Sequence, residues 1–421
     1  MATAREEWKW YWKLPAVAAI ANIATVIHIY TLGPFMAPLE QEFGWSRAQI
    51  SSAITVSNGV NAALGVLVGL LIDRWGPRRI GLIGICVMAV AFACVGTATG
   101  TYANWIFLWF LISIGAAWTQ PTIWTSAVSS RFDASRGFAI AVTVAGSSIA
   151  ATILPIIATG AISAFGWRSA YAVIAAGYFL LAFPLCLMFF RGKFDRARNQ
   201  PKLPEEEAHS EAEAAILPGM TAKEAFRSLT FYRLSFAGLL FAFCAMGSIV
   251  HFVPILSDRG LTAVEAASIA GLIGIASLCG RMATGWLLDR FRPERVALVT
   301  FAFPSIAALL LIFGDGPLAY AAAAIVIGAS LGGEFDIIIY LTTRHFGLKS
   351  FGLIFSTVLV FLTAATAAGP LTAGAIFDHF GSYTNFLWLI VPMVLCASLL
   401  AGTLPRAPDS FGRKPTLATA H

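Results

Sequence analysis

Gly69-Leu-Leu-Ile-Asp73-Arg74-Trp-Gly-Pro77-Arg-Arg79 returns 216 residues later as Gly285-Trp-Leu-Leu-Asp289-Arg290-Phe-Arg-Pro293-Glu-Arg295. The same offset of 216 lays Pro38 over Pro254, Gly44 over Gly260 and Ser46 over Thr262. Farther along, Ser-Ser-Arg131 answers Thr-Thr-Arg344, Pro155 answers Pro370 and Gly166 answers Gly381, at offsets of 213 to 215. One unit has therefore been duplicated in parallel orientation.

Each copy of the basic stretch sits between long apolar runs. About 20 apolar residues are needed to cross a bilayer as a helix. Twelve such stretches are read at about 15–36, 48–72, 80–99, 104–127, 138–164, 168–190, 233–257, 264–288, 296–314, 317–341, 352–376 and 383–404. The expected fold is an all-α membrane protein of twelve transmembrane helices in two six-helix bundles. The expected division is 1–190, a cytosolic linker at 191–232, 233–404 and a cytosolic tail at 405–421. The linker carries an acidic run from Glu205 to Glu213, then Thr221-Ala-Lys-Glu224, a capping box that starts a short amphipathic surface helix. Parallel repeats of this kind place substrate near the midplane between the halves.

Composition agrees. Of 421 residues 58% are hydrophobic and 12% charged, where soluble domains carry about a quarter charged residues. The first apolar run continues into a second without a small-residue cleavage site, so no cleavable signal peptide is expected. With the N-terminus in the cytosol, 24 of the 28 basic residues fall on that side. The other four are Arg47, Arg168 and Arg259 outside, and Arg281 in the membrane. That asymmetry sets the orientation in a cell inner membrane and explains the net charge of +6 without nucleic acid. The six cysteines stand singly in apolar segments, which implies neither a metal site nor a disulfide framework. No phosphate-cradling loop of the ATP-driven carriers is present, and no hydrolytic or redox constellation is seen. A non-enzymatic, cofactor-free monomer is expected.

The loop Gly69, Asp73, Arg74, Gly76, Arg78 resembles the signature between helices 2 and 3 of the major facilitator superfamily. The resemblance implies a gate, in which Asp73 accepts from a helix N-terminus and from basic residues across the seam between halves. Asp289 and Arg290 belong to its degenerate second copy. A narrower resemblance rests on Phe43-Gly-Trp-Ser-Arg47, on His251-Phe-Val-Pro254 to Gly260, on Gly280-Arg281 followed by Asp289, and on Phe346-Gly-x-x-Ser-Phe-Gly352. These are similar to the bacterial monocarboxylate-transporter-like branch, near the oxalate/formate antiporters. Proton-linked movement of small organic anions is what that implies.

Of 50 charged side chains, only Arg281, Glu334 and Asp336 fall well inside the spans. An ionised group near the bilayer centre costs at least ~2.5–3.5 kcal/mol on insertion scales, so each is a functional suspect. Arg281 stands eight residues before Asp289, about 12 Å from the helix end at ~1.5 Å per residue. Its guanidinium offers a fork of donors suited to a carboxylate. By resemblance it inherits the role of the substrate-binding arginine of the monocarboxylate transporters. The competing reading is a fixed pair with an acid of helix 10. Asp336 lies at the same depth, and Glu334 is ~200° round the helix from it, so only one acid faces the cavity squarely. That acid reads either as a proton carrier or as a fixed partner of Arg281. His28, mid-helix 1, reads either as a proton carrier or as a packing histidine. His251 reads as structural before mouth-lining.

The family's helix 1 lysine is absent here, and Ser277 stands where its helix 8 aspartate would be. Helix 11 also lacks the second cation of the oxalate/formate antiporters. One cavity cation favours a monoanion over a dianion, whose second charge would be buried unpaired. Asn61 and Gln120 are polar near the midplane and face either the cavity or a neighbouring helix. The expected activity is proton-coupled transport of a small organic monocarboxylate. The alternatives are efflux of a hydrophobic drug or metabolite and, far behind, a non-transporting membrane sensor.

Overall fold

A computed structural model describes residues 3–192 and 219–407. The acidic run from Glu205 to Glu213 and most of the tail lie outside the described residues. The rest is almost entirely helical.

Span 1 is Lys13–Asn22 and Ile27–Phe43, bent by 43° at the turn Ile23–Thr25. Span 2 is Arg47–Trp75, opened by a capping box in which Ser46 accepts from the Gln49 amide. Span 3 is Pro77–Val95, and span 4 comes in two pieces, Tyr102–Ala117 and Pro121–Ser129. Spans 5 and 6 form the run Arg136–Phe189, 54 residues long. As one rod that run would reach ~80 Å, well over twice the ~30 Å hydrocarbon core. Gly166, at φ 74°, turns it back on itself. Span 7 is Leu229–Ser257, span 8 Ala263–Arg290 and span 9 Pro293–Phe313. Span 10 is Pro317–Phe346, span 11 Phe351–Phe380 and span 12 Thr384–Gly402.

Among the described residues nine helices and the bent pair are each long and apolar enough to cross a membrane. One of the nine is the double-length run, and span 2 is the remaining crossing. Span 2 is less apolar because Gln49, Ser51, Ser52, Ser57, Asn58 and Asn61 lie along it. The duplication extends to cap chemistry. The Ser46–Gln49 box of span 2 recurs in span 8 as Thr262–Glu265, again 216 residues on.

The N-terminal spans share one apolar core that also takes in Val250 of span 7, the C-terminal spans form two, and the seam between the halves closes on small residues. A Cβ on Gly274 of span 8 would stand 2.3 Å from the Ser148 carbonyl of span 5, and one on Gly374 of span 11 would stand 2.6 Å from the Ala48 amide of span 2. Only glycine lets these backbones approach so closely. Two ends of the bundle can be told apart by their residues. One carries the Arg74 to Arg79 loop, the other carries Arg47 and Asp258.

A short helix, Ala4–Tyr11, precedes span 1. Its Glu7 carboxylate accepts from the amides of Asp133, Ala134 and Ser135 at 2.8–3.0 Å, capping span 5. Those donors, the Ala134 amide foremost, pull the Glu7 carboxyl down to about 2. The capping box at Thr221 forms and starts the helix Ala222–Arg227. The Met220 amide ahead of it donates to the Phe346 carbonyl at 2.8 Å, tying the linker's end to the loop after span 10.

Candidate functional site

Spans 8 and 10 meet through glycines. A Cβ on Gly280 would stand 2.2 Å from the Ala329 carbonyl, and one on Gly332 2.0 Å from the Ser277 carbonyl. This close contact buries Ser277 and brings Arg281 beside Asp336. The Arg281 Nη1 to Asp336 Oδ1 distance is 3.5 Å, with the side chains 24% and 32% exposed. That is the outer limit of a hydrogen bond, far from the ~2.7–2.9 Å of a strong charge-assisted one. The buried Nε of Arg281 has no partner among the described residues. Gly271 and Gly274 of span 8 pack on Thr152 and Ser148 of span 5, and Arg281, two turns past Gly274, lies on that same face toward the N-terminal half. Glu334, two residues before Asp336, is turned away and buried, with Oε1 unpartnered among the described residues.

At the same level the N-terminal half is neutral. Gln120 Nε2 donates to Asn61 Oδ1 at 2.8 Å, joining spans 4 and 2. Adding the offset of 216 places Asn61 over Ser277 and Gly65 over Arg281. A side chain at Gly65 would press on Gln120 Nε2, 3.1 Å from its Cβ. One amide pair thus stands opposite one ionic pair. Trp124 is not part of that wall. It is fully buried, donates to the Thr119 carbonyl at 2.9 Å and packs its ring against Phe190.

The structure does not bring His28 to Arg281. Its Nε2 is 3.2 Å from the Ser57 hydroxyl and its ring meets the Trp109 ring, inside the N-terminal bundle. Both partners belong to the N-terminal half, so His28 points into its own bundle.

At the Arg74 end, Gly76 adopts φ 77°, a left-handed turn that favours glycine, between spans 2 and 3. Its repeat counterpart, Arg292, has φ −63°, which explains why the second copy is degenerate. Arg78 donates to the Leu187 carbonyl at 2.6 Å, and Arg290 lies over the Trp286 ring at 4.2 Å. Gly69 opens onto free space, and Asp289 is exposed. Asp73 and Arg74 occupy the last turn of span 2. The side chain of Asp73 lies outside the described residues.

A second arginine, counted above among the loop cations, is 7% exposed instead. Arg47 donates through Nε to Glu40 at 2.6 Å and through both Nη atoms to Asp258 at 2.6 and 3.0 Å. It also donates to the Tyr383 hydroxyl at 3.0 Å, and its guanidinium lies 3.7 Å from the Phe377 ring centre. Asp378 of span 11 accepts from the Arg47 and Ala48 amides, both at 2.9 Å, and so caps span 2 from the other half. His251 of span 7 bonds Tyr383 at 2.6 Å, the Pro370 carbonyl at 2.9 Å and Ser51 of span 2 at 3.0 Å. Thr55 and Asn58 continue the row onto the Ala367 carbonyl and the Thr366 hydroxyl. The seam is shut at this end.

Residues 18–357 match the model of the Major Facilitator Superfamily. The chain belongs to that superfamily. This superfamily member is 25% identical over 397 residues to a probable nitrate/nitrite transporter, NarK2, of Mycobacterium tuberculosis, covering 90% of this chain and 93% of the relative. It is 26% identical to a gallate transporter of Pseudomonas putida, covering 71% and 70%. It is 23% identical to human monocarboxylate transporter 11, covering 96% and 84%. Among solved structures, a bacterial homologue of the lysosomal transporter Spinster, in an inward-facing and unoccupied conformation, superposes with a TM-score of 0.65. That match has 19% identity over 93% of each chain and speaks to the fold alone. The chain is a membrane transporter of this superfamily and not an enzyme.

Proposed function

We propose that this transporter carries a small organic monocarboxylate together with a proton, by alternating access. The observation that carries the reading is Arg281, which faces the seam near the midplane with one long contact and a buried unpartnered Nε. A planar oxyanion would complete that guanidinium with two short parallel bonds. Nitrate, gallate and monocarboxylates, named for the relatives above, all present such a group. With no second cation beside it among the described residues, a monoanion is the better cargo.

Asp336 competes with cargo for Arg281, so a proton on Asp336 frees the guanidinium as the anion arrives. Glu334, buried on the same helix, is the next stop for that proton. His28 is left as a packing residue. Asn61, Gln120 and Ser277 form the neutral walls around the charged pair. The gate at the Arg74 end works through Gly69, Asp73, Arg74, Gly76 and Arg78, with Asp289 and Arg290 in its second copy. The Lys/Arg bias puts that end and both termini in the cytosol, in the inner membrane of a cell, with the linker and tail on the same side. The chain acts as a monomer.

The test is uptake of labelled benzoate or pyruvate into proteoliposomes under an imposed proton gradient. Gradient-stimulated uptake, lost in Arg281→Ala, supports the reading. Uptake indifferent to that substitution would refute it.

A further inference from the structure

We infer that Arg47 is a latch that holds the two halves together at one end of the seam, and that its lock is a mismatch left by the gene duplication. The mismatch is visible when repeat positions are compared. In the N-terminal half, Glu42 at the end of span 1 pairs with Arg168 at the start of span 6, at 2.5 Å. Adding 216 carries Glu42 to Asp258, and adding 215 carries Arg168 to Tyr383. The acid is kept in the second copy, and the cation is replaced by a phenol. Asp258 therefore has no cation at the equivalent place in its own half. Arg47, whose own repeat counterpart is Ala263, supplies one from across the seam.

Geometry makes this more than a surface ion pair. Arg47 is 7% exposed, its guanidinium bidentate on Asp258, braced by Glu40 of its own half and stacked against Phe377. The charged and titratable groups around it are Glu40 from span 1, Asp258 and His251 from span 7, Asp378 from span 11 and Tyr383 before span 12. Only Glu40 shares a half with Arg47. Opening this end must strip the guanidinium of Asp258, Tyr383 and Phe377 together, and must uncap span 2 from Asp378. A cavity of about 340 Å³ lies against the latch, with Gln41, Thr159 and Pro254 in its wall beside Arg47 and Asp258. The Thr159 hydroxyl there is buried and unpartnered among the described residues. That cavity already reaches the locked pair.

The latch is independent of which cargo is carried, and its test reads accessibility rather than transport. Thr55→Cys places a thiol inside the closed row, to be labelled with a membrane-impermeant maleimide applied to each face of oriented vesicles. Mass spectrometry separates the introduced thiol from the native cysteines. In that background Arg47→Gln and Asp258→Asn are each expected to speed labelling from the Arg47 side about tenfold or more, with the double variant no faster than either single. Arg168→Gln, which breaks only the pair internal to one half, leaves the rate unchanged. Native Cys186, wholly buried in the N-terminal core, reports loss of fold. Unchanged labelling of the introduced thiol in both single variants, additive effects in the double, or a parallel rise at Cys186 would each overturn the latch.

Discussion

Among the described residues two arginines stand at the seam between the halves, Arg47 buried and Arg281 half-buried, and they are satisfied to opposite degrees. Arg47 spends its donors on Glu40, Asp258 and Tyr383, at 2.6–3.0 Å, and stacks on Phe377. Arg281 reaches a single acid at 3.5 Å and keeps a buried Nε without a partner among the described residues. A saturated guanidinium holds structure, because every donor lost on opening must be replaced. On the proposed function an unsaturated one is completed by cargo, because the bonds it lacks are those a carboxylate provides. The difference arises from position. Arg47 opens span 2, where acids from three other spans or their ends converge. Arg281 sits between glycine-packed spans, where one acid comes near.

The largest effect that sharpens this contrast is expected at Arg281. Losing two charge-assisted bonds to cargo, at about 1.5–3 kcal/mol each, lowers kcat/KM for uptake in Arg281→Ala roughly 100-fold or more. Arg281→Lys keeps the charge and loses the fork, so residual activity about tenfold below the parent is expected. Comparable loss in both, or in neither, would break the distinction drawn here.

Next comes Arg47. Arg47→Gln leaves Glu40 and Asp258 without the cation they share. Allowing for partly exposed Asp258, destabilisation of about 2 kcal/mol is expected, seen as a lower melting temperature in detergent. Arg281→Ala should melt close to the parent protein. A larger drop for Arg281→Ala than for Arg47→Gln would reverse the assignment of roles.

Asp336→Asn is a smaller perturbation with an informative sign. Removing the competitor for Arg281 should tighten binding of a monocarboxylate about three- to tenfold, measured by thermal shift or calorimetry. The same substitution should abolish stimulation of uptake by the proton gradient. His28→Gln should leave both quantities near the parent values.

The smallest effect belongs to the clasp of the first helix. Glu7 is held down to about 2 in the folded protein, against ~4.3 for a free glutamate. Its contribution is therefore complete above the unfolded value and disappears as pH falls toward the folded one. Glu7→Gln is expected to melt slightly lower than the parent at pH 7, and the gap should close between about pH 4 and pH 2. A gap that widens on acidification would contradict this account of the clasp.

Much of the scaffold was legible in the sequence because it rests on long-wavelength signals. Apolar run length gave the spans, and the 216-residue offset gave the duplication, down to the matched caps at Ser46 and Thr262. Span 2 shows where such reading strains, since its polar residues, Ser51 and Asn58 bonded across the seam and Ser52, Ser57 and Asn61 bonded within their own half, lower its hydropathy. Arg281 and Asp336 were legible as intramembrane charges at equal depth. His28 was read from its depth alone, and depth does not say which face of a helix a residue occupies. Arg47 was read as a loop cation, because its burial depends on Asp258 and Tyr383, more than 200 residues away. A signal was available all the same. Aligning the two repeats residue by residue shows an acid at Asp258 whose cation has become Tyr383, and an acid left without its local cation asks for another from elsewhere.

Calorimetric titration of the purified transporter with benzoate, beside Arg281→Ala and Arg47→Gln, tests the contrast between the two arginines most directly. Binding that vanishes in Arg281→Ala and persists in Arg47→Gln is the predicted result. Binding that survives the loss of Arg281, or that depends on Arg47 instead, would contradict it.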